Sequence, residues 1–413
     1  MANHPGKSIP FEYAMHTARP RITGALIKPV GSLCNLDCPY CYYLDKKKLF
    51  RDRIQRMGTS VLETFICQYI EGNRESDQIS FCWHGGEPLL AGMDFYLKAV
   101  ALQKKHARGK TISNELQTNG TLIDRDWACF FRDNDFLVGV SIDGPEYLHD
   151  AYRKDNNGCG SFRKVIGGIE NLYRTGVRYN TLTTVNHITR EHGTLIYNFL
   201  KAVGSYHMQF LPVLEYVKDT GMSDQERPVV VPPGTAGARP APWSVSSEKY
   251  GHFLWDIFQE WSNKDVGVRF VPFFESVLAN SLGVPPGICA WCETCGDNVV
   301  VEWNGDVYVC DHFVYPDYYL GNISTTSFGQ MVCSGKLFRF GMDKKNSLPE
   351  QCLRCRYYHI CLGECPKHRF DTTADGRPGL NSLCAGYKYF FERSESKISE
   401  IVRNITLTKS LNN

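Results

Sequence analysis

The sequence predicts an α/β protein: a partial (β/α)6 TIM-like barrel, then a cysteine-rich domain and a C-terminal helix. Three features carry that prediction. Six short β-rich runs, each leading into a stretch of helical spacing, occupy the chain between about Ala25 and Glu215. A run dense in proline and glycine, GMSDQERPVVVPPGTAGARPAPW from Gly221 to Trp243, then breaks the pattern. Beyond it, nine of the seventeen cysteines lie between Cys289 and Cys384, with Cys333 as a tenth that has no obvious partner.

The six runs are Ala25–Pro29, Ile79–Trp83, Ile112–Gln117, Leu137–Ile142, Asn180–Val185 and Met208–Leu214. Most end directly in a distinctive polar motif. A parallel barrel builds its active site from the loops at the C-terminal ends of its strands, so those motifs are where chemistry is expected. Six units leave the barrel incomplete, with a side open to a bulky substrate. The Gly221–Trp243 run reads as a long surface loop, and Lys249–Asn263 as a helix burying Phe253, Leu254, Ile257, Phe258 and Trp261. The expected divisions are 20–220 for the barrel, 221–284 for the loop and connecting helices, 285–390 for the cysteine-rich domain, and 391–413 for a C-terminal helix and tail.

Lys+Arg 46 against Asp+Glu 44 gives a formal charge of only +2, which argues against nucleic acid or an anionic membrane as partner. Met1 to Pro20 lacks the apolar segment of a signal peptide, and no stretch is long enough to span a bilayer. A cytoplasmic protein is expected. In that reducing compartment seventeen cysteines point to metal ligands more than to disulfides.

Cys34, Cys38 and Cys41 stand as C-x3-C-x2-C in CNLDCPYC, in the loop after the first strand. A four-iron cluster normally takes four cysteines. With no fourth nearby, one iron would stay open for an exchangeable ligand such as the amino and carboxylate groups of S-adenosylmethionine. A zinc site or three core cysteines would give the same triplet. At the end of the second strand, WHGGEP offers Gly85 and Gly86 for close backbone approach and Glu87 to meet an ammonium group, although a simple turn uses the same residues. Ser141 supplies a hydroxyl at the end of the fourth strand. Arg153 supplies a planar cation for a carboxylate, or else a surface salt bridge.

CNLDCPYC followed by HGGEP resembles the radical S-adenosylmethionine superfamily, and LQTNGT at 116–121 and SIDGP at 141–145 extend the likeness through the barrel. The resemblance implies a [4Fe-4S] cluster on Cys34, Cys38 and Cys41, with cofactor contacts from Tyr40, Gly85, Gly86, Glu87, Ser141, Arg153 and Leu214. Leu214 is equally explained by barrel packing. The pattern Cys352-x2-Cys355-x5-Cys361-x3-Cys365, ending at Cys384, resembles the SPASM type of auxiliary-cluster domain. That resemblance implies two more [4Fe-4S] clusters, one on Cys289, Cys295, Cys310 and Cys365, the other on Cys352, Cys355, Cys361 and Cys384, with Cys292 spare. Spacing alone does not give the crossing of Cys365 and would also allow two zinc sites. Fully ligated clusters cannot bind S-adenosylmethionine, so their expected roles are to pass electrons and to shape the substrate pocket.

From LIKPVGSLCNLDCPYCYY to LNSLCAGYKYFFE the chain is similar to anaerobic sulfatase-maturating enzymes. This implies oxidation of a cysteine or serine to Cα-formylglycine by a 5′-deoxyadenosyl radical. The implied partners are an unfolded or nascent sulfatase carrying Cys/Ser-x-Pro/Ala-x-Arg and an electron donor such as flavodoxin or ferredoxin. Asp311, after Cys310 in VYVCDHFV, is the implied general base, with burial expected to raise its pKa; a turn acid or helix cap is the plainer alternative. Tyr43 is implied in the substrate pocket, or is a packed core tyrosine. Competing readings are another SPASM enzyme that crosslinks peptides through thioether or carbon–carbon bonds, and a zinc-organised interaction module without catalysis. Lys46, Lys47 and Lys48 read as a solvated face, and Cys67, Cys82, Cys129, Cys159 and Cys333 as free, mostly buried thiols.

Overall fold

The computed structural model describes residues 24–43, 46, 55–218, 229–231 and 235–411. Six parallel strands form the barrel sheet: β1 Gly24–Lys28, β2 Gln78–Trp83, β3 Thr111–Thr118, β4 Phe136–Ser141, β5 Tyr179–Val185 and β6 Met208–Pro212. The helices between them are α1 Thr59–Gly72, α2 Met93–His106, α3 Arg125–Asp133, α4 Glu146–Tyr152, α5 Phe162–Thr175 and α6 Gly193–Ala202. Local chemistry sets their ends. Asp124 caps α3 by accepting from the Trp127 amide, and α5 stops at Gly176, whose φ of 76° suits a residue without a side chain. Leu62, Phe65, Ile66, Tyr69 and Ile70 give α1 one buried apolar face.

Side-chain alternation divides each strand between two environments. Phe136, Val138 and Val140 of β4 pack outward into the core shared with the helices, as do Leu116 of β3 and Val185 of β5. Glu115, Gln117, Leu137, Gly139, Ser141, Asn180, Leu182 and Thr184 line a cavity inside the barrel. Polar and apolar side chains alternate around this interior, which is not filled by bulky residues.

The sheet continues past β1. Beyond the barrel come β7 Tyr216–Lys218, β8 Val229–Val230 and β9 Arg239–Pro240, then α7 Ser247–Lys264, α8 Pro272–Ser281, β10 Asn298–Glu302, β11 Asp306–Tyr308 and β12 Tyr319–Asn322. β10 pairs in parallel with β1, which sets Lys28 opposite Glu302, and β11 and β12 follow antiparallel. Among the described residues this gives one nine-stranded sheet, β12-β11-β10-β1-β2-β3-β4-β5-β6. The cysteine-rich region therefore shares the barrel's own sheet and covers what would have been the β1 edge.

The Pro/Gly-rich run is more ordered than a plain loop. β8 and β9 both pair with β7 in a small antiparallel sheet, with Pro240 on an edge strand where no amide is needed. Residues 219–228 and 232–234 lie outside the described residues. After α9 Phe328–Val332 and α10 Gly335–Asn346, the chain ends in α11 Cys384–Leu411, so the expected 390/391 division falls within one helix. α11 meets α7 through glycines: a Cβ on Gly386 would lie 2.0 Å from the Ser247 carbonyl oxygen.

Two expectations are corrected. Lys46 is not solvated: it is 3% exposed, its Nζ donates to the Val314 carbonyl at 3.1 Å and lies 3.2 Å from the Tyr315 ring centroid. Burial lowers its pKa from 10.5 to about 7. Lys47 and Lys48 lie outside the described residues. The unassigned thiols are not mostly buried either, since Cys67, Cys82 and Cys129 are partly exposed and Cys159 and Cys333 exposed. No described helix is long and apolar enough to cross a membrane.

Candidate active site at the mouth of the barrel

The triplet Cys34, Cys38 and Cys41 sits on the loop that leaves β1, held by the motif at the end of β2. The Gly86 amide donates to Gly31 O and the Glu87 amide to Leu33 O, each at 2.8 Å. A Cβ on Gly86 would fall 2.1 Å from the Leu33 carbonyl oxygen, so only glycine allows this approach. Glu87 is turned inward. Its carboxylate accepts from Thr118 Oγ1 and the Asn119 amide at 2.8 Å and from the Leu89 amide at 3.0 Å, and burial raises its pKa to about 7. Asn119 Nδ2 in turn reaches Asn35 at 2.8 Å and Cys34 Sγ at 3.8 Å. Glu87 thus ties the third strand's end to the cysteine loop.

The thiols lie close together: Cys41 disfavours ionisation of both Cys34 and Cys38, and Cys34 that of Cys38. Burial pushes Cys34 up to about 12 and Cys38 higher still. An apolar cap of Leu36, Tyr40, Val213, Val217, Ala241 and Trp243 packs around Cys38.

Beside the triplet, Asp143 is the hub of a buried network. It accepts from Tyr40 OH and Arg153 Nε at 2.7 Å, Arg153 Nη2 at 3.1 Å, the Thr184 amide at 2.8 Å and Thr184 Oγ1 at 2.9 Å. Burial alone would raise its pKa, yet the Arg153 guanidinium and these bonds hold it below the ordinary value. Arg153 therefore belongs to a buried ion pair, not a surface one, and it borders the barrel cavity. Ser141 borders it too, its Oγ accepting from Gln117 Nε2 at 3.2 Å.

The cavity holds about 470 Å³ and reaches from Ser141 and Arg153 to Tyr42, His84, Asp311 and His312. Asp311, on the turn after β11, comes from the cysteine-rich region, and Tyr42 OH donates to its Oδ2 at 2.7 Å. The pKa expectation for Asp311 is overturned. Burial does push it up, but His312, Lys28, His84 and the Tyr42 hydrogen bond outweigh that and hold it below the usual carboxylate range. The lowered pKa keeps Asp311 in the proton-free form a base needs, at the cost of intrinsic basicity.

Tyr43 and Leu214, like Tyr40, Gly85, Gly86 and Glu87, lie off the cavity wall. Tyr43 is 2% exposed, donates to the Glu302 carboxylate and has Lys28 Nζ 3.7 Å above its ring. Leu214 is buried in the main core just past β6. Sequence reasoning passed over Tyr42, His84 and His312. His84 stood in the quoted WHGGEP string and His312 beside Asp311, so proximity to the motifs was the available signal.

The second cysteine field separates into two groups. Cys365 lies within electrostatic range of Cys289, Cys295 and Cys310, apart from its sequence neighbours. Cys352, Cys355, Cys361 and Cys384 line one small cavity with Tyr357, Tyr387 and Phe391. Cys292 sits near Cys289 and Cys295, its Sγ donating to the Ile288 carbonyl at 3.6 Å. Among the described residues, no three His, Cys, Asp or Glu side chains converge as they do around a single metal ion. The donor sets consist of thiols alone, and burial raises Cys289 to about 11 and Cys361 to about 12. Such thiols ionise only with a bound cationic group, which fits iron–sulfur ligation.

Comparisons with known proteins follow the same division. The Radical SAM superfamily model matches residues 29–200 and the SPASM iron–sulfur cluster-binding domain residues 292–356. The chain is 47% identical over 368 residues to a serine-type anaerobic sulfatase-maturating enzyme of Bacteroides thetaiotaomicron, covering 89% of this chain and 88% of that one. It is 33% identical to a cysteine-type enzyme of Clostridium novyi, covering 92% and 97%. The solved structure of native anSMEcpe with bound AdoMet and Cp18Cys peptide superposes with a TM-score of 0.80 at 31% identity, covering 92% of this chain and 99% of that one.

Proposed function

Because the chain belongs to the anaerobic sulfatase-maturating enzymes of the radical SAM superfamily, we propose how its residues share the oxidation of a sulfatase serine or cysteine to Cα-formylglycine. The observation that carries the reading is one cavity bordered both by Ser141 and Arg153 of the barrel and by Asp311 of the cysteine-rich region. The substrate's Cβ and its acidic proton can thus be served from opposite walls.

Cys34, Cys38 and Cys41 hold the cluster that binds S-adenosylmethionine. Cys289, Cys295, Cys310 and Cys365 hold one auxiliary cluster, and Cys352, Cys355, Cys361 and Cys384 the other. When bound, these groups supply a 5′-deoxyadenosyl radical that takes a Cβ hydrogen and a route by which a further electron leaves. Tyr40, Gly85, Gly86, Ser141 and Arg153 shape the cofactor's seat, with Glu87 fixing the cysteine loop and Leu214 packing behind it. Asp311 takes the hydroxyl or thiol proton. Loss of hydrogen atom, proton and electron turns a serine side chain directly into the aldehyde; a cysteine side chain needs hydrolysis as well. Tyr43 supports this wall through Glu302.

The substrate partner is a sulfatase peptide, for which we take the Cys/Ser-x-Pro/Ala-x-Arg form. A flavodoxin- or ferredoxin-like donor, a cytoplasmic setting, a barrel unit over 20–220 and an auxiliary unit over 285–390 complete the proposal. The test of roles is Asp311→Asn in the reconstituted full chain. It should still release 5′-deoxyadenosine in the presence of peptide while aldehyde formation falls by about 10²–10⁴-fold. Unchanged aldehyde formation would remove Asp311 from the mechanism.

A further inference from the structure

The charged residues on the cavity wall are not equally employed. Arg153 is held by Asp143, and Asp311 accepts from Tyr42. Glu115 of β3 borders the same cavity and is exposed, with only Ser80 Oγ near its carboxylate, at 3.5 Å. Among the described residues no cation pairs with it. The side-chain amides of Asn180 and Gln209, also on the wall, hydrogen-bond to nothing among the described residues. His207 borders the cavity too, but it stacks on Phe270 and burial lowers its pKa, so at neutral pH it brings no positive charge to Glu115. The wall thus offers one uncommitted carboxylate and two uncommitted amides.

Strand register places Glu115 relative to the reacting end. It pairs with Cys82, two residues before His84, and Cys82 and His84 both border the cavity, so Glu115 stands about 7 Å of strand rise below His84. The Cys82 thiol lies within electrostatic range of both Asp311 and Glu115. A substrate residue held at Asp311 therefore has a second acid within reach of its neighbours.

We infer that Glu115 is a specificity-determining residue that receives a cationic side chain of the substrate peptide, the arginine of the Ser/Cys-x-Pro-x-Arg form, while Asn180 and Gln209 bond the peptide backbone. The inference rests on the maturase reading and deepens it. Proline favours the second position of a four-residue turn, which brings the residue before it and the arginine within about 7 Å and turns the guanidinium back toward the target residue. A guanidinium can meet a carboxylate through two parallel N–H···O bonds, and side-chain amides both donate to and accept from peptide groups.

The experiment uses the full chain carrying its clusters, assayed anaerobically with Ser-x-Pro-x-Arg peptides whose last residue is Arg, Met or Glu. Aldehyde formation gives kcat/KM for each, and fluorescence anisotropy of the labelled peptides gives Kd without turnover. Glu115→Gln should lower the Arg-to-Met ratio of kcat/KM by about tenfold, mostly through KM, with a matching rise in Kd for the Arg peptide. Glu115→Asp should keep most of the ratio, and Glu115→Lys should turn the preference toward the Glu peptide. Added salt should shrink the wild-type preference, as for any pair open to solvent. A structural defect would depress all three peptides together and leave their ratios alone. If the wild-type protein does not distinguish Arg from Met, or if Glu115→Gln and Glu115→Lys both keep the wild-type ratios, the inference is overturned and the maturase reading stands. If the wild-type protein binds the Arg peptide and releases 5′-deoxyadenosine but makes no aldehyde from it or from its cysteine form, the maturase reading fails and the inference falls with it.

Discussion

Replacing Asp143 with alanine removes the acceptor for both Arg153 nitrogens, Tyr40 OH and both Thr184 donors in one step. The side chains of Asp143 and Arg153 are only 1% and 8% exposed, so the guanidinium would be left buried without a counter-charge. Breaking such a pair from one side costs about 3–5 kcal/mol, whereas removing both charges costs much less. Anaerobic urea unfolding followed by tryptophan fluorescence should show that loss for Asp143→Ala and recovery of most of it in Asp143→Ala/Arg153→Met. The pH dependence has a definite sign. The folded-state pKa of Asp143 lies below its ordinary value, so the carboxylate stabilises the fold at neutral pH. That contribution fades as pH drops through and below about 4, and the gap between wild type and variant should close there. A loss below about 1 kcal/mol at neutral pH, or a double variant as unstable as the single one, would refute the hub.

Two further outcomes follow. Cys365→Ala should remove one cluster, about four of about twelve irons per chain, whereas Cys292→Ala should retain them all; iron analysis of the reconstituted variants separates the crossed assignment from a sequential one. Lys46 has a folded pKa lowered from 10.5 to about 7, so between those values the unfolded chain binds more protons and stability should rise with pH. Lys46→Met should flatten that rise, which is at most about 1.4 kcal/mol per pH unit, in unfolding curves taken from pH 7 to 9.

Much of the barrel was legible because its signals are local. All six strands fall within two residues of the runs read from the sequence, since short β-rich segments closed by Gly, Pro or polar motifs mark both ends of a βα unit. The pairing of β10 with β1 was not legible: VVVE reads as a strand, but nothing near it encodes a partner some 270 residues earlier. Lys46 was misread for the same reason, because its burial depends on Val314 and Tyr315. Tyr42 and Tyr43 show the limit at single-residue scale. Neighbours on an irregular loop point different ways, one to Asp311 and one to Glu302, and no periodicity says which. The lowered pKa of Asp311 needed Lys28 and His84, brought to it by the ends of β1 and β2. The grouping of Cys365 with Cys289, Cys295 and Cys310 came from family resemblance and not from spacing.

The most direct test of the central claim is mass spectrometry of a sulfatase peptide incubated anaerobically with the reconstituted protein, S-adenosylmethionine and a reductant. The account predicts an aldehyde at the target serine or cysteine, formed in step with 5′-deoxyadenosine. Release of 5′-deoxyadenosine with the peptide unchanged, or a crosslinked peptide bearing no aldehyde, would contradict it.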